Sequence, residues 1–242
     1  MSKAIRVRNL EYVYPDGTKA LKGIDLDILK GESVGLIGPN GAGKSTLLLH
    51  LNGILKGQQS SVEVLGMKVE EKNLIKVRQK VAIVFQEPDD QLFMPTVFDD
   101  VAFGPINADY PEEKVRAKVK EALKGIRMEG YEKRCSHHLS FGEKKRISLA
   151  TVLSMQPEIL ILDEPTSNLD PRARRHLIEL LKNLNLTKIV AGHDLELILE
   201  ICQRVILLDE GEIVANGDAR GVLSNKSLME SHGLELPLSL AA

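Results

Sequence analysis

Cysteine is nearly missing from this chain of 242 residues. Cys135 and Cys202 lie far apart and form no CxxC or zinc-type spacing. The chain is long enough to bury most of its surface without disulfides, and a reducing compartment is the natural setting. Long apolar runs are missing as well: stretches such as Ile159–Leu162 are far too short to cross a bilayer. The start, Met1-Ser-Lys-Ala-Ile-Arg6, lacks the apolar stretch of a signal peptide. These absences predict a cytoplasmic protein whose membrane role would be peripheral. Charge of one sign is lacking too. A net charge of −2 sets up no global basic field that would gather nucleic acid. There is no internal repeat and no low-complexity tract.

What is present is the balance of a soluble globular protein, 43% hydrophobic and 27% charged. Ile5–Leu10 alternates apolar and polar residues, as does the stretch through Ile24, Leu26 and Ile28. Tyr14-Pro-Asp-Gly17 between them has turn chemistry, so an antiparallel sheet is expected near the N-terminus. Ser33–Ile37, Val81–Phe85, Ile159–Leu162, Lys188–Ala191 and Val205–Leu208 are short apolar runs of the buried parallel-strand type. Helical stretches separate them, which predicts a parallel sheet covered by helices. One helix should run from Lys44 with Leu47, Leu48, Leu51 and Ile54 on one face. From about Pro88 to Gln156 the texture changes: Glu112–Lys124 is charged and helix-prone, and Ile147–Met155 has helical apolar spacing. A helical insertion between two halves of the sheet domain accounts for this.

The strongest motif follows Ile37. Gly38, Pro39, Asn40, Gly41, Ala42, Gly43, Lys44 and Ser45 match GxxxxGK[ST] and lead into Thr46, with a strand before and a helix after. Glycines at 38, 41 and 43 let the backbone wrap closely and aim N–H groups at phosphate oxygens. The helix adds its positive end. Lys44 offers a compact positive charge to the β- and γ-phosphates, and the Ser45 hydroxyl suits Mg²⁺. Asp163 and Glu164 end a buried strand at the edge where open α/β sheets bind ligands. Asp163 suits Mg²⁺, and Glu164, pointing elsewhere, can polarise an attacking water.

Other landmarks are weaker by themselves. Gln86 and His193 each end a strand at the same edge, near where a metal, water or γ-phosphate would lie. Ser140 and Glu143 form an S-x-x-E capping box, yet the same helix end would also favour phosphate oxygens. Asp170-Pro171 starts another helix, and Arg172–Arg175 reads as its solvated face. Cys135, His137 and His138 lack a fourth ligand for a transition metal.

Together these residues resemble the nucleotide-binding subunits of ATP-binding cassette transporters over essentially the whole chain. Gly38–Thr46 looks like their Walker A motif and Ile159–Glu164 like Walker B. Gln86 matches the Q-loop, Leu139–Glu143 the signature motif, Ser167–Asp170 the D-loop and His193 the H-loop. Tyr14 fits the aromatic that stacks on adenine, ahead of Tyr12. The resemblance implies an α/β fold, a P-loop NTPase with a RecA-like parallel sheet, an N-terminal antiparallel β-subdomain and an inserted helical subdomain. Residues 1–86 and 158–225 would form the nucleotide-binding core, 87–157 the signature subdomain and 226–242 a C-terminal tail. It further implies that Glu164, His193 and Lys44 act in hydrolysis, with Mg²⁺ near Ser45, Gln86 and Asp163. In this family the signature motif caps ATP held by the opposite subunit. Ser140, Phe141, Gly142 and Glu143 would then serve a partner chain's site, and Asp170 the interface.

The motif departs from the usual Leu-Ser-Gly-Gly-Gln at Phe141 and Glu143. The charge of Glu143 beside phosphate would need the capping box, or Lys144 and Lys145, to offset it. Gln86–Phe93, Pro95–Val97 and Asp100–Pro105 resemble the energy-coupling-factor type of importer, although family usage puts Asp where Glu87 stands. The same segment and the ending His232–Pro237 look most like the cobalt and nickel ATPases. This resemblance implies an ATP- and Mg²⁺-dependent ATPase, paired with itself or a related subunit on the cytoplasmic face of the membrane. An integral membrane scaffold and a substrate-binding membrane subunit would be its partners, and nucleic acid would not. A vitamin or other micronutrient is the alternative cargo. A soluble cassette ATPase acting on DNA or ribosomes and a phosphate-loop kinase are rivals of other classes.

Overall fold

The computed structural model describes residues 2–57 and 61–241; Met1, residues 58–60 and Ala242 lie outside them. Alternation builds the first sheet. Strands β1 (Lys3–Val13) and β2 (Lys19–Leu29) pair antiparallel across the Tyr14–Gly17 turn, closed by the Gly17 N–H donating to the Tyr14 carbonyl at 2.9 Å. Ile5, Val7 and Leu10 are buried while Arg6, Asn9 and Glu11 stay exposed. Two short strands, β4 (Ser61–Val64) and β5 (Met67–Lys68), complete the order β2-β1-β4-β5. Four and two residues carry too little alternation to be legible beforehand.

The second sheet holds the site. It contains β3 (Ser33–Ile37), β6 (Val81–Val84), β7 (Ile159–Asp163), β8 (Thr187–Ala191), β9 (Arg204–Asp209) and β10 (Glu212–Asp218) in the order β10-β9-β3-β8-β7-β6. All neighbours are parallel except β10, which pairs antiparallel with β9 at the edge. The parallel strands feed two cores. Leu160, Leu162, Val190 and Leu207 face the helices, and Ile159, Ile161, Ile189 and Ile206 face the first sheet. A strand buried on both faces must read as an unbroken apolar run. Each such side chain contributes about 1.5–3 kcal/mol on burial, so this double coverage dominates the fold's stability.

Helix α1 (Lys44–Leu51) follows β3, and α2 (Leu74–Lys80) precedes β6. The expected extension of α1 to Ile54 is corrected. Gly53, at φ +72°, turns the chain left-handed after Asn52 and leaves Ile54 45% exposed. Helices α3 (Val97–Asn107), α4 (Glu112–Gly125) and α5 (Phe141–Leu153) form the helical segment. Amphipathic α4 buries Val115, Val119, Ala122 and Leu123 at helical spacing. Met155 lies beyond the end of α5, which stops at Leu153.

Helices α6 (Pro171–Asn183) and α7 (Leu195–Ile201) flank β8, and α8 (Ala219–Leu223) and α9 (Lys226–Ser231) follow β10. The terminal stretch is docked, with Leu234 buried and Ser239 donating from its N–H and hydroxyl to Glu196. Among the described residues no helix is long and apolar enough to cross a membrane.

Candidate active site

The phosphate loop leaves β3 where two backbones nearly touch. A Cβ on Gly38, at φ +149°, would lie 1.9 Å from the Leu208 carbonyl oxygen; one on Gly43, at φ +100°, would lie 2.5 Å from that of Ala20. Only glycine fits either position. Gly43 is also the N-cap of α1 and supplies no side-chain cap, so the first-turn N–H groups have no side chain upon them. The Lys44 ammonium folds across the loop and donates to the carbonyls of Gly38 at 2.7 Å and Pro39 at 3.0 Å. Burial pushes its pKa down, partly opposed by Glu164 and Asp163.

Register sets the acidic end. Asp163 on β7 pairs with Ala191 on β8, and the Glu164 N–H donates to the Ala191 carbonyl at 2.9 Å. Glu164 and His193 are thereby neighbours. The His193 N–H donates to Glu164 Oε2 at 3.3 Å, and His193 Nε2 lies 3.6 Å from Oε1. That ring nitrogen also meets Asn40 Oδ1 of the phosphate loop at 2.9 Å. Next along, Asp194 caps α7 and receives both arms of Arg174, at 2.6 and 2.7 Å, and the Thr166 hydroxyl. The reading of Arg172–Arg175 as a solvated face is therefore corrected at Arg174, which anchors the strand end behind His193. Burial pushes the Asp194 carboxyl up, but Arg174, the Leu197 N–H and Thr166 outweigh it and hold it below its usual value.

These groups converge on a cavity of about 320 Å³ lined by Tyr14, residues 40–46, Gln86, Asp163, Glu164 and His193. The Tyr14 hydroxyl bonds Thr46 Oγ1 at 3.0 Å, and its ring packs edge-on against Tyr12. Tyr12 lies back against His50 of α1 and does not line the cavity.

Ser140, Phe141, Gly142, Glu143 and Asp170 are absent from that lining. Ser140 caps α5 in a complete capping box: the Glu143 carboxylate accepts from the Ser140 N–H at 2.9 Å and hydroxyl at 2.8 Å. The Tyr131 hydroxyl adds a third donor at 2.8 Å. Burial raises the Glu143 pKa, but these hydrogen bonds outweigh it and leave the carboxyl below its usual value. Of the two offsets open for the Glu143 charge, the capping box is the one present, and Lys144 and Lys145 turn elsewhere. Lys144 pairs with Asp89 at 2.7 Å, and Lys145 points inward to the carbonyls of Gln86 at 2.6 Å and Glu164 at 3.0 Å. Asp170 caps α6 through the N–H groups of Arg172 and Ala173.

The sequence offers Lys145 only as a charge to offset Glu143, and motif reading misses its inward place beside the site. Its signal was positional, one turn before buried Leu149 on the inward face of α5. Burial brings its pKa down to about 8, against the pull of Glu87, Glu164 and Asp163.

An anion with several phosphate oxygens suits the cavity: α1 offers its N-terminus and Lys44 a charge, while Asp163 and Glu164 stand opposite. The oxygen donors of Ser45, Asp163 and Gln86 suit a hard cation such as Mg²⁺, which takes one or two carboxylates plus substrate phosphates. Among the described residues no three His, Cys, Asp or Glu cluster as a separate metal site.

Residues 21–167 match the family model described as ABC transporter. An energy-coupling factor transporter ATP-binding protein of Methanothermobacter thermautotrophicus is 50% identical, over 96% of this chain and 76% of its own length. A putative ABC transporter ATP-binding protein of Gloeobacter violaceus is 52% identical over 99% of both. Among solved structures, cbiO1 from Clostridium perfringens, part of the ABC transporter complex cbiONQ, superposes with a TM-score of 0.84 at 40% identity. It covers 98% of this chain and 97% of its own. The cassette MJ0796, solved as a dimer in a post-hydrolysis state with ADP and Pi, gives 0.80 at 29%, covering 90% and 99%. The chain belongs to the ABC transporter family as one of its ATP-binding, ATP-hydrolysing subunits. Within it, the relatives and the cbiO1 structure place it with the energy-coupling-factor type.

Proposed function

We propose that two ATPase subunits close around two ATP molecules on the cytoplasmic face of the membrane and drive uptake of a transition-metal ion, cobalt or nickel. The carrying observation is the division of the motifs: one chain gathers Lys44, Gln86, Asp163, Glu164 and His193 in one cavity and leaves Ser140 outside it. A second chain, the same or related, would supply the missing Ser140 and Gly142, with Asp170 at the interface.

Lys44 and the α1 N-terminus hold the β- and γ-phosphates, with Tyr14 against adenine. Ser45, Gln86 and Asp163 would hold Mg²⁺, which would supply neutralisation of the phosphate charge. Glu164 orients water for in-line attack, and His193 stabilises charge on the γ-phosphate. Residues 87–157 act as the signature subdomain between the two stretches of nucleotide-binding core.

The membrane connection is supported by a groove of about 530 Å³ whose lining includes Phe85, next to Gln86 in the chain. Ile54, Phe93 and Phe103 expose apolar surface there, at 45%, 56% and 45%. Exposed aromatics beside a groove suit a partner helix, here from an integral membrane scaffold, with a separate membrane subunit recognising the ion. The choice of a metal as cargo rests on the likeness of the segment Gln86–Pro105 and the ending His232–Pro237 to cobalt and nickel ATPases.

Glu164→Gln is the test of the site. Turnover should fall about 10²–10⁴-fold while ATP binding persists and dimers accumulate with ATP. Unchanged turnover would sink the role of Glu164. Uptake of radiolabelled cobalt and nickel by vesicles holding the complex tests the cargo, and uptake of a vitamin instead would refute the metal.

A further inference from the structure

Lys145 is 2% exposed and among the largest wholly buried side chains, yet it carries a charge. None of the ion pairs found among the described residues includes it. Its ammonium donates instead to the Gln86 carbonyl at 2.6 Å, the Glu164 carbonyl at 3.0 Å and Ser167 Oγ at 3.5 Å. Three N–H groups thus meet three oxygens from two separate loops. Packing alone does not explain such a residue, since an apolar side chain would fill the space without the desolvation of a cation.

The loop carrying Glu164 has reason to need it. Glu164 sits at φ +46°, the left-handed region that side chains other than glycine rarely adopt. Its carbonyl accepts from Lys145, from the Ser167 N–H at 3.2 Å and from the Ser167 hydroxyl at 2.9 Å. The carboxylate has little room: a Cβ on Gly192 would come within 3.0 Å of Oε2. A shift of this backbone would therefore displace the carboxylate.

We propose that Lys145 is a positioning residue for ATP hydrolysis, tying Gln86 and Glu164 to helix α5 so that movement of the helix moves both together. The inference rests on Glu164 acting on the attacking water. Because Ser140 caps the start of α5, the helix end offered to a partner's ATP is joined through Lys145 to this chain's own site. The two sites of a dimer are thereby mechanically linked.

The test uses the full-length chain with Mg·ATP as Lys145→Met, Lys145→Gln, Glu164→Gln and Lys145→Met/Glu164→Gln. Turnover, ATP affinity and thermal unfolding are measured for each. Methionine has similar length and no donors; kcat should fall about 100-fold, the cost of a small misplacement at a reacting centre. ATP affinity should stay within about two-fold, because the phosphate contacts are untouched. Glutamine still donates but cannot span both carbonyls, so its kcat should lie between, about 10-fold down. The double variant should turn over only slightly slower than Glu164→Gln alone, since most of the loss passes through the Glu164 carboxylate and only the remainder through Gln86. Wild-type kcat in either Lys145 variant overturns the proposal, and the glutamine form decides if the methionine form does not fold. An affinity loss equal to the kcat loss, or full additivity with Glu164→Gln, overturns it too. Full turnover in Glu164→Gln by itself removes the reading of Glu164 and the tie with it.

Discussion

Two helix N-termini would carry the phosphate chemistry in the proposed dimer, and they are finished differently. Helix α1 begins at Gly43 with no side-chain cap and no acid in its first turn. Helix α5 begins at Ser140 with a complete capping box and Glu143 in its first turn. An uncapped, glycine-framed helix end is ready for an anion at once. The capped end is complete within the single chain, and its Ser140 hydroxyl already points at Glu143. A phosphate brought by a partner must share or displace that bond. In the proposed dimer the first half-site would thus be built to bind and the second to respond.

The strongest way to break this comparison is at the ready half. Lys44→Ala should cut phosphate release about 10³-fold and weaken ATP binding, the cost of removing a group aimed at transferred charge. At the responding half, Ser140→Asp keeps a capping side chain but sets a charge against the partner's phosphate. Turnover should fall about 10²-fold with little change in ATP affinity of the single chain. Mixing Lys44→Ala with Ser140→Asp chains should restore activity neither has alone, because each mixed dimer keeps one intact site. No recovery on mixing would overturn the shared site.

The ready half also has an anchor to remove. Arg174→Ala should lower stability by about 2 kcal/mol at pH 7, read by denaturant unfolding, because it strips Asp194 of a charged partner. Asp194 is held below its usual value, so its contribution is present above the unfolded pKa of about 3.9 and fades as pH falls through the lower folded value. The gap between wild type and variant should therefore close below about pH 4. The smallest effect sharpens the contrast. Glu143→Gln keeps an acceptor for the cap and removes the charge; kcat/KM should rise about two- to five-fold, the worth of one charge at a helix N-terminus.

Much of the sheet was legible beforehand because its strands are buried on both faces, and only continuous apolar runs such as Ile159–Leu162 satisfy that. The phosphate loop was legible because Gly38 and Gly43 have no substitute. Strand β10 escaped notice, being an edge strand whose buried contribution is slight. The stop of α1 before Ile54 escaped because helical spacing continues past Gly53, while the backbone there turns left-handed. Arg174 and Lys145 escaped for a shared reason. Both sit in runs of basic residues that look solvated, and only packing picks out the member that turns inward.

The sequence alone determined the parallel sheet, the phosphate loop and the motif set that marks an ABC transporter ATPase, since each depends on local pattern or on a residue type nothing can replace. The tertiary structure alone decided which polar groups meet: His193 with Glu164 and Asn40, Arg174 with Asp194, and Lys145 with two carbonyls across the site. Strand register and helix packing set those distances, and neither is written in the spacing of residues far apart along the chain.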